Sequence, residues 1–205
     1  MLLAVSVFSC SSAIAQQAAA KPGASAAKVD QEQLTVRRLD VVDEHGVVRM
    51  TLSAPTPDPI VGGKPYKRAF PASGLIFFDK NGDERAGYAI ADIPGSAVGL
   101  ALDHANGDAI GWKVLPDGEV QFVVNQRGSM QHDAKSGNLL PARDSKNRIL
   151  MSVAADGTPS IGLVDKQERT RLRLTVTDEG FGAIQFLDAN GTVVETFAPE
   201  RAAKR

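Results

Sequence analysis

Four stretches of the chain share one pattern: two apolar residues at alternate positions, then Asp-x-x-Gly, then a second apolar alternation. Asp43-Glu44-His45-Gly46, Asp79-Lys80-Asn81-Gly82 and Asp188-Ala189-Asn190-Gly191 carry the turn intact, and Asp165-Lys166-Gln167-Glu168 has Glu in place of Gly. Asp at the first position and Gly at the fourth suit a type I turn followed by a left-handed residue, which closes a β-hairpin with a bulge. The pairs Leu39/Val41, Leu75/Phe77, Ile161/Leu163 and Ile184/Phe186 precede the four Asp residues. A spacing of two puts each pair on one face of a strand. Arg49, Arg85 and Arg171 follow their Asp at a constant spacing, and the apolar alternation resumes as Met50/Leu52 and Leu172/Leu174/Val176. Units that agree in turn, register and spacing mark a hairpin repeat.

Further hairpins are degenerate. Val98/Leu100/Leu102 leads into Asp103-His104-Ala105-Asn106-Gly107; Pro116-Asp117-Gly118 turns into Val120, Phe122 and Val124; Asp156-Gly157 joins Ile149/Met151/Val153 to Ser160–Val164. The expected fold is therefore all-β, an antiparallel up-and-down meander of about twelve short strands. A meander exposes two edges unless it closes. A closed barrel or propeller-like ring is the favoured architecture, with a two-sheet sandwich as the alternative. Phe77 and Phe186 are expected in its core. An outer-membrane barrel fits poorly: most strands fall short of the roughly 9–11 residues required, and no aromatic girdle is visible.

The chain has 205 residues, enough for one domain with a core. Its 23 basic and 24 acidic residues give no reason to expect nucleic acid as a partner. Residues 1–15 read as a signal peptide, with Leu2–Phe8 as a short apolar core and Ala13-Ile14-Ala15 as a small-x-small cleavage site. The rival reading is a lipoprotein signal acylated at Cys10, and only then would a membrane be a partner. Cys10 is the only cysteine, so cleavage after Ala15 leaves neither a disulfide framework nor a thiol nucleophile. Residues 16–33 read as a flexible tether, 34–199 as the hairpin-repeat domain and 200–205 as a disordered tail.

Two insertions break the rhythm. Ala54–Ser73 carries five prolines, Gly62-Gly63 and the cluster Lys64, Tyr66, Lys67, Arg68; Arg127–Ala142 carries His132 and Asp133. Long loops on a β scaffold are where binding usually sits. The repeat, together with Gly62-Gly63-Lys64-Pro65-Tyr66-Lys67-Arg68 leading into Gly74-Leu75-Ile76-Phe77-Phe78-Asp79, resembles a group of uncharacterised bacterial exported proteins over roughly Leu34 to Thr196. That resemblance implies the repeat and export, and brings no activity with it.

Chemical motifs are sparse. Asp79-Lys80-Asn81-Gly82-Asp83 begins like a calcium loop, but Glu84 stands where Gly is needed and Ile90 where an acid is needed. A hairpin turn explains every one of those residues. Arg169, Arg171 and Arg173 alternate along one strand and could form a guanidinium ladder for carboxylates, phosphates or sulfated sugars. The plainer reading pairs Arg171 with its turn Asp, as Arg49 and Arg85 would pair with theirs. His45 and His104 fall in turns and His132 in a loop, without metal-ligand spacing. Asp83/Glu84 reads as a water-exposed turn pair. No nucleophile elbow, zinc-protease helix, phosphate loop or dinucleotide fingerprint occurs. The sequence thus suggests an exported envelope binding or scaffold module without catalytic residues, metal or other cofactor. It would meet a protein or envelope polymer through Lys64, Tyr66, Lys67 and Arg68, with the Arg169/Arg171/Arg173 face as a second candidate. A hydrolase or lyase with a site assembled at one rim is the alternative. A convergent pocket with two carboxylates would favour that enzyme; a flat rim with a basic loop would favour binding.

Overall fold

The computed structural model describes residues 33–199; the expected signal peptide at residues 1–15, Cys10, nearly all of the expected tether and the expected C-terminal tail lie outside them. The described residues contain no helix. The chain divides between Thr35 and Val36, and the second unit carries every strand.

Twelve strands form one antiparallel meander. They are β1 (Arg38–Val42), β2 (Val48–Ser53), β5 (Ala72–Phe78), β6 (Glu84–Ala91), β7 (Ala97–His104), β8 (Gly107–Val114), β9 (Val120–Gln126), β10 (Lys146–Val153), β11 (Pro159–Val164), β12 (Thr170–Val176), β13 (Gly182–Leu187) and β14 (Val193–Phe197). Two short strands, β3 (Ile60–Val61) and β4 (Lys64–Pro65), form a separate hairpin in the first insertion. Every neighbour in the large sheet is also the neighbour in sequence along the main meander, as hairpin repeats dictate. Among the described residues no ladder joins β14 to β1, so the sheet keeps two edges where a barrel or propeller-like ring would have none.

Seven turns among the described residues repeat one hydrogen-bond pattern. In the first, Asp43 N–H donates to Val47 O while Gly46 N–H donates to Asp43 O; the turns opened by Asp79, Leu115, Ala154, Asp165, Thr177 and Asp188 do the same. Gly46, Gly82 and Gly191 take the left-handed conformation, and Glu168 takes it in the degenerate unit with φ 63°. Asp leads the turn because its carboxylate accepts two backbone N–H groups, as Asp79 does from Asn81 and Asp83 at 2.8 and 3.1 Å. Nothing lies near the position a Gly191 Cβ would occupy. Gly191→Val should therefore lose stability through backbone conformation alone, by about 1–2 kcal/mol. Chemical denaturation checks this, and an unchanged midpoint would refute the left-handed requirement.

The repeat Arg links one hairpin to the next. Arg49 pairs with Asp43 at 3.5 Å and donates its Nε–H to Phe78 O at 3.2 Å. Arg171 pairs with Asp165 at 3.6 Å and donates to Leu187 O at 3.0 Å. In both units the guanidinium joins its own turn to the last strand carbonyl before the following Asp.

The two faces differ. One carries Thr51, Ser53, Ala72, Ile76, Val123, Ala183 and Leu187, and all are buried. Small residues dominate it, and Gly74, Gly87, Ala89, Gly99 and Ala101 lie in adjacent register there. Small residues let neighbouring backbones approach closely where a sheet coils. The other face carries the alternating apolar residues of the repeat. Phe77 and Phe186 share it in the expected register, yet they are 37% and 41% exposed. The periodicity assigned the face correctly; within the described chain, nothing covers it.

Candidate acid-lined pocket under the two insertions

Three carboxylates meet at one end of the small-residue face because two β-bulges place them there. Phe78 pairs with Glu84 rather than Arg85, and Asp103 pairs with Asp108 rather than Ala109. A bulge re-aims the side chain beside it. Glu84 and Asp103 lie over neighbouring strands, and Asp108 sits directly across from Asp103.

The first insertion forms one wall. Its β3–β4 hairpin turns at Gly62-Gly63, and Gly63 N–H donates to Asp83 Oδ1 at 2.7 Å. Arg68 donates to Pro57 O at 3.0 and 2.8 Å and pairs with Glu84 at 2.8 Å. The second insertion forms the opposite wall. A Cβ on Gly62 would lie 2.5 Å from the Leu139 nitrogen, so the two insertions touch there. Asn106 ties the second insertion down: its Nδ2 donates to Ser129 O at 2.9 Å, and its own carbonyl accepts from Ala142 N–H at 2.7 Å. The pocket, open to solvent on one side, has a volume of about 450 Å³ and is lined by Tyr66, Arg68, Glu84, Asp103, Asn106 and Asn125 among others.

Electrostatics mark this pocket out. Burial pushes the Asp103 carboxyl up to about 7, and the neighbouring charges of Asp108 and Glu84 push in the same direction. Asp103 thus holds a proton near neutrality, with the Asp108 carboxylate as its hydrogen-bond partner. Burial also raises Glu84 above the usual carboxylate range, even against its Arg68 partner. Four buried polar atoms here have no protein partner: Tyr66 OH, Asp103 Oδ1, Asn106 Oδ1 and Asn125 Oδ1. Asn106 is 1% exposed. Leaving such a group unmatched costs about 1–3 kcal/mol, so native proteins seldom do it without reason.

The residues singled out from sequence are divided by the structure. Tyr66, Lys67 and Arg68 line the pocket, whereas Lys64 sits over the Tyr66 ring at 5.8 Å. Lys67 is almost wholly exposed, with Asp58 at 3.9 Å. Arg169, Arg171 and Arg173 lie on or beside β12, beyond β10 and β11 from the last strand that lines the pocket. Arg169 and Arg171 converge on Asp165 at 2.8 and 3.6 Å, and Arg169 chiefly holds that carboxyl down at about 2. His132 bonds within its own loop, to Gly137 O at 3.1 Å, and stays out of the pocket. Among the described residues no group of three or more His, Cys, Asp or Glu is arranged to hold a metal ion.

Two expectations need correction. Glu84 is not a water-exposed turn residue: its side chain is 13% exposed and faces Arg68. Asp103 does not open a turn; it lies within β7, next to its last residue, opposite a second aspartate. Like charges directly opposed on a ladder are unfavourable. That was the available signal, and reading it required the register. No protein-family model matches the chain, and no curated protein is significantly similar to it.

Proposed function

We propose that this is an exported envelope protein that binds, in the acid-lined pocket, a small unit rich in hydrogen-bond donors, such as an amine- or hydroxyl-bearing residue of an envelope polymer. The observation that carries this reading is that four residues lining one cavity each hold an unmatched buried polar atom, three of them acceptors. A volume of about 450 Å³ suits a ligand of one or two sugar units. Glu84, Asp103 and Asp108 favour a neutral or cationic ligand over an anion, with Arg68 orienting Glu84.

Titration calorimetry with amino-sugar and neutral oligosaccharides tests the reading. Tyr66→Phe and Asn125→Ala should each weaken binding about tenfold, the loss expected for one hydrogen bond to a buried group. Tyr66→Phe should leave the free protein as stable as before or more so, because it removes an unmatched hydroxyl. Failure of every probe, or variants that bind like the wild type, would refute the proposal.

One observation favours a second reading, a hydrolase or lyase. A protonated Asp103 beside Asp108 is the arrangement needed to donate a proton to a leaving group and take one back. Release of shortened products from a bound oligosaccharide, abolished by Asp103→Asn, would establish it; binding without turnover would leave the protein a binding module.

A further inference from the structure

The second face of the sheet has almost no polar residue along its length. Reading across the register, it runs through Leu39/Val41, Leu52, Tyr88/Ile90, Leu100/Leu102 and Trp112 to Phe122, Met151, Ile161, Leu174 and Phe186. Among the paired positions on this face only two carry a charge, Lys146 opposite Gln126 at the end of β10 and Glu195 opposite Phe186 on the last strand. Nearly all of these side chains are more than a third exposed, and Trp112 is 61% exposed. An apolar surface of this kind on a monomer seldom exceeds a few hundred Å². Twelve strands spaced about 4.8 Å apart, each paired over about five residues, give this face a projected area of about 900 Å².

We infer that this face is the interface of a homodimer, two sheets mated face to face around a two-fold axis near Trp112 and Phe122. Area supplies the first argument: burying the face on both copies removes about 1,800 Å² in projection, above the roughly 1,600 Å² of a standard stable interface. Symmetry supplies the second. The midpoint of the sheet falls between β8 and β9, and Trp112 and Phe122 pair edge-to-face there at 5.8 Å. They also line a groove of about 730 Å³ together with Tyr88, Val114, Val120 and Met151. A two-fold axis at this point sets the largest aromatic of each copy at the centre of the interface, where binding energy concentrates. Glu195 lies at an edge, so the same axis keeps the two Glu195 residues apart, each over the far rim of the other sheet. Two identical sheets also share one twist, the condition for aligned packing about 10 Å apart. The two-sheet sandwich that one chain does not build would then be built by two.

Sedimentation velocity of the full-length chain across a hundredfold concentration range, with emission from its single tryptophan, tests this. The expected result is a dimer with blue-shifted Trp112 emission that moves to the red as dilution produces monomer. Trp112→Glu and Met151→Glu should sediment as folded monomers by circular dichroism, while Gln121→Glu, on the opposite face of β9, should still dimerise. A monomer with red-shifted emission at every concentration would overturn the inference. So would a blue-shifted monomer insensitive to dilution, which assigns the face to another segment of the same chain. A monomer that blue-shifts only on neutral lipid vesicles would overturn it in favour of a bilayer. If Met151→Glu unfolds, Trp112→Glu alone still decides, because its side chain is mostly in solvent before assembly.

Discussion

Raising the pH from about 5 to about 8 should destabilise the protein, and Asp103→Asn should abolish most of that loss. The folded carboxyl of Asp103 is raised to about 7 from an ordinary value of 3.8, mainly by burial and then by Asp108 and Glu84. A group raised on folding favours the folded state while it is protonated in both states. Its contribution is therefore complete below about pH 4 and is lost as the pH climbs through about 7. A shift of this size corresponds to at most about 4 kcal/mol, before allowance for the pair relaxing or admitting water. The turn carboxylates act in the opposite sense: Asp43, Asp165 and Asp188 are lowered, so their stabilisation disappears as the pH falls below about 4. Maximum stability should accordingly lie between the two, at mildly acid pH. Asparagine imitates the protonated acid and still donates to Asp108. Thermal melts of wild type and Asp103→Asn at both pH values make the comparison; a wild type that melts alike at both, or a variant with an undiminished pH slope, would show that the pair is solvated.

The same residue shows where the sequence was legible. Turn chemistry is local: Asp-x-x-Gly specifies its own hydrogen bonds, so four hairpins and the identity of the strand faces could be read directly. Arg49 and Arg171 could be matched to their turn acids from spacing alone, and the structure adds their reach to Phe78 and Leu187. Asp103 and Glu84 could not be placed, because their orientation follows from bulges, and a bulge moves every later residue to the other face. The pocket walls were also out of reach, since the contact between Gly62 and Leu139 spans most of the sheet's first half. The exposure of Phe77 and Phe186 was invisible for another reason. Alternation reports that a face is apolar, but whether the chain itself covers that face depends on whether the meander closes or folds over.

Gly74→Ala should be among the most damaging single-methyl substitutions in the domain, costing about 3 kcal/mol or more. Gly74 pairs with Ala89 between β5 and β6, and a Cβ there would lie 2.1 Å from the carbonyl oxygen of Tyr88 and 2.7 Å from the Ala89 Cα. Both nearest obstacles are backbone atoms, so no rotamer change relieves the overlap and the ladder itself must open. The consequences reach the site, because the same two strands end in the Phe78–Glu84 bulge that aims Glu84 at Arg68. Gly99→Ala is the matched control. It lies in register on the same face, but its Cβ would find only the Trp112 carbonyl at an ordinary 3.6 Å. That substitution should cost under about 1 kcal/mol, the weaker strand propensity of glycine partly offsetting the new contact. Urea denaturation of the two variants separates steric exclusion from a general dislike of side chains on this face. Equal losses at both positions would mean that the face as a whole excludes bulk, and a Gly74→Ala protein as stable as wild type would mean that β5 and β6 are less tightly coiled than their close approach implies.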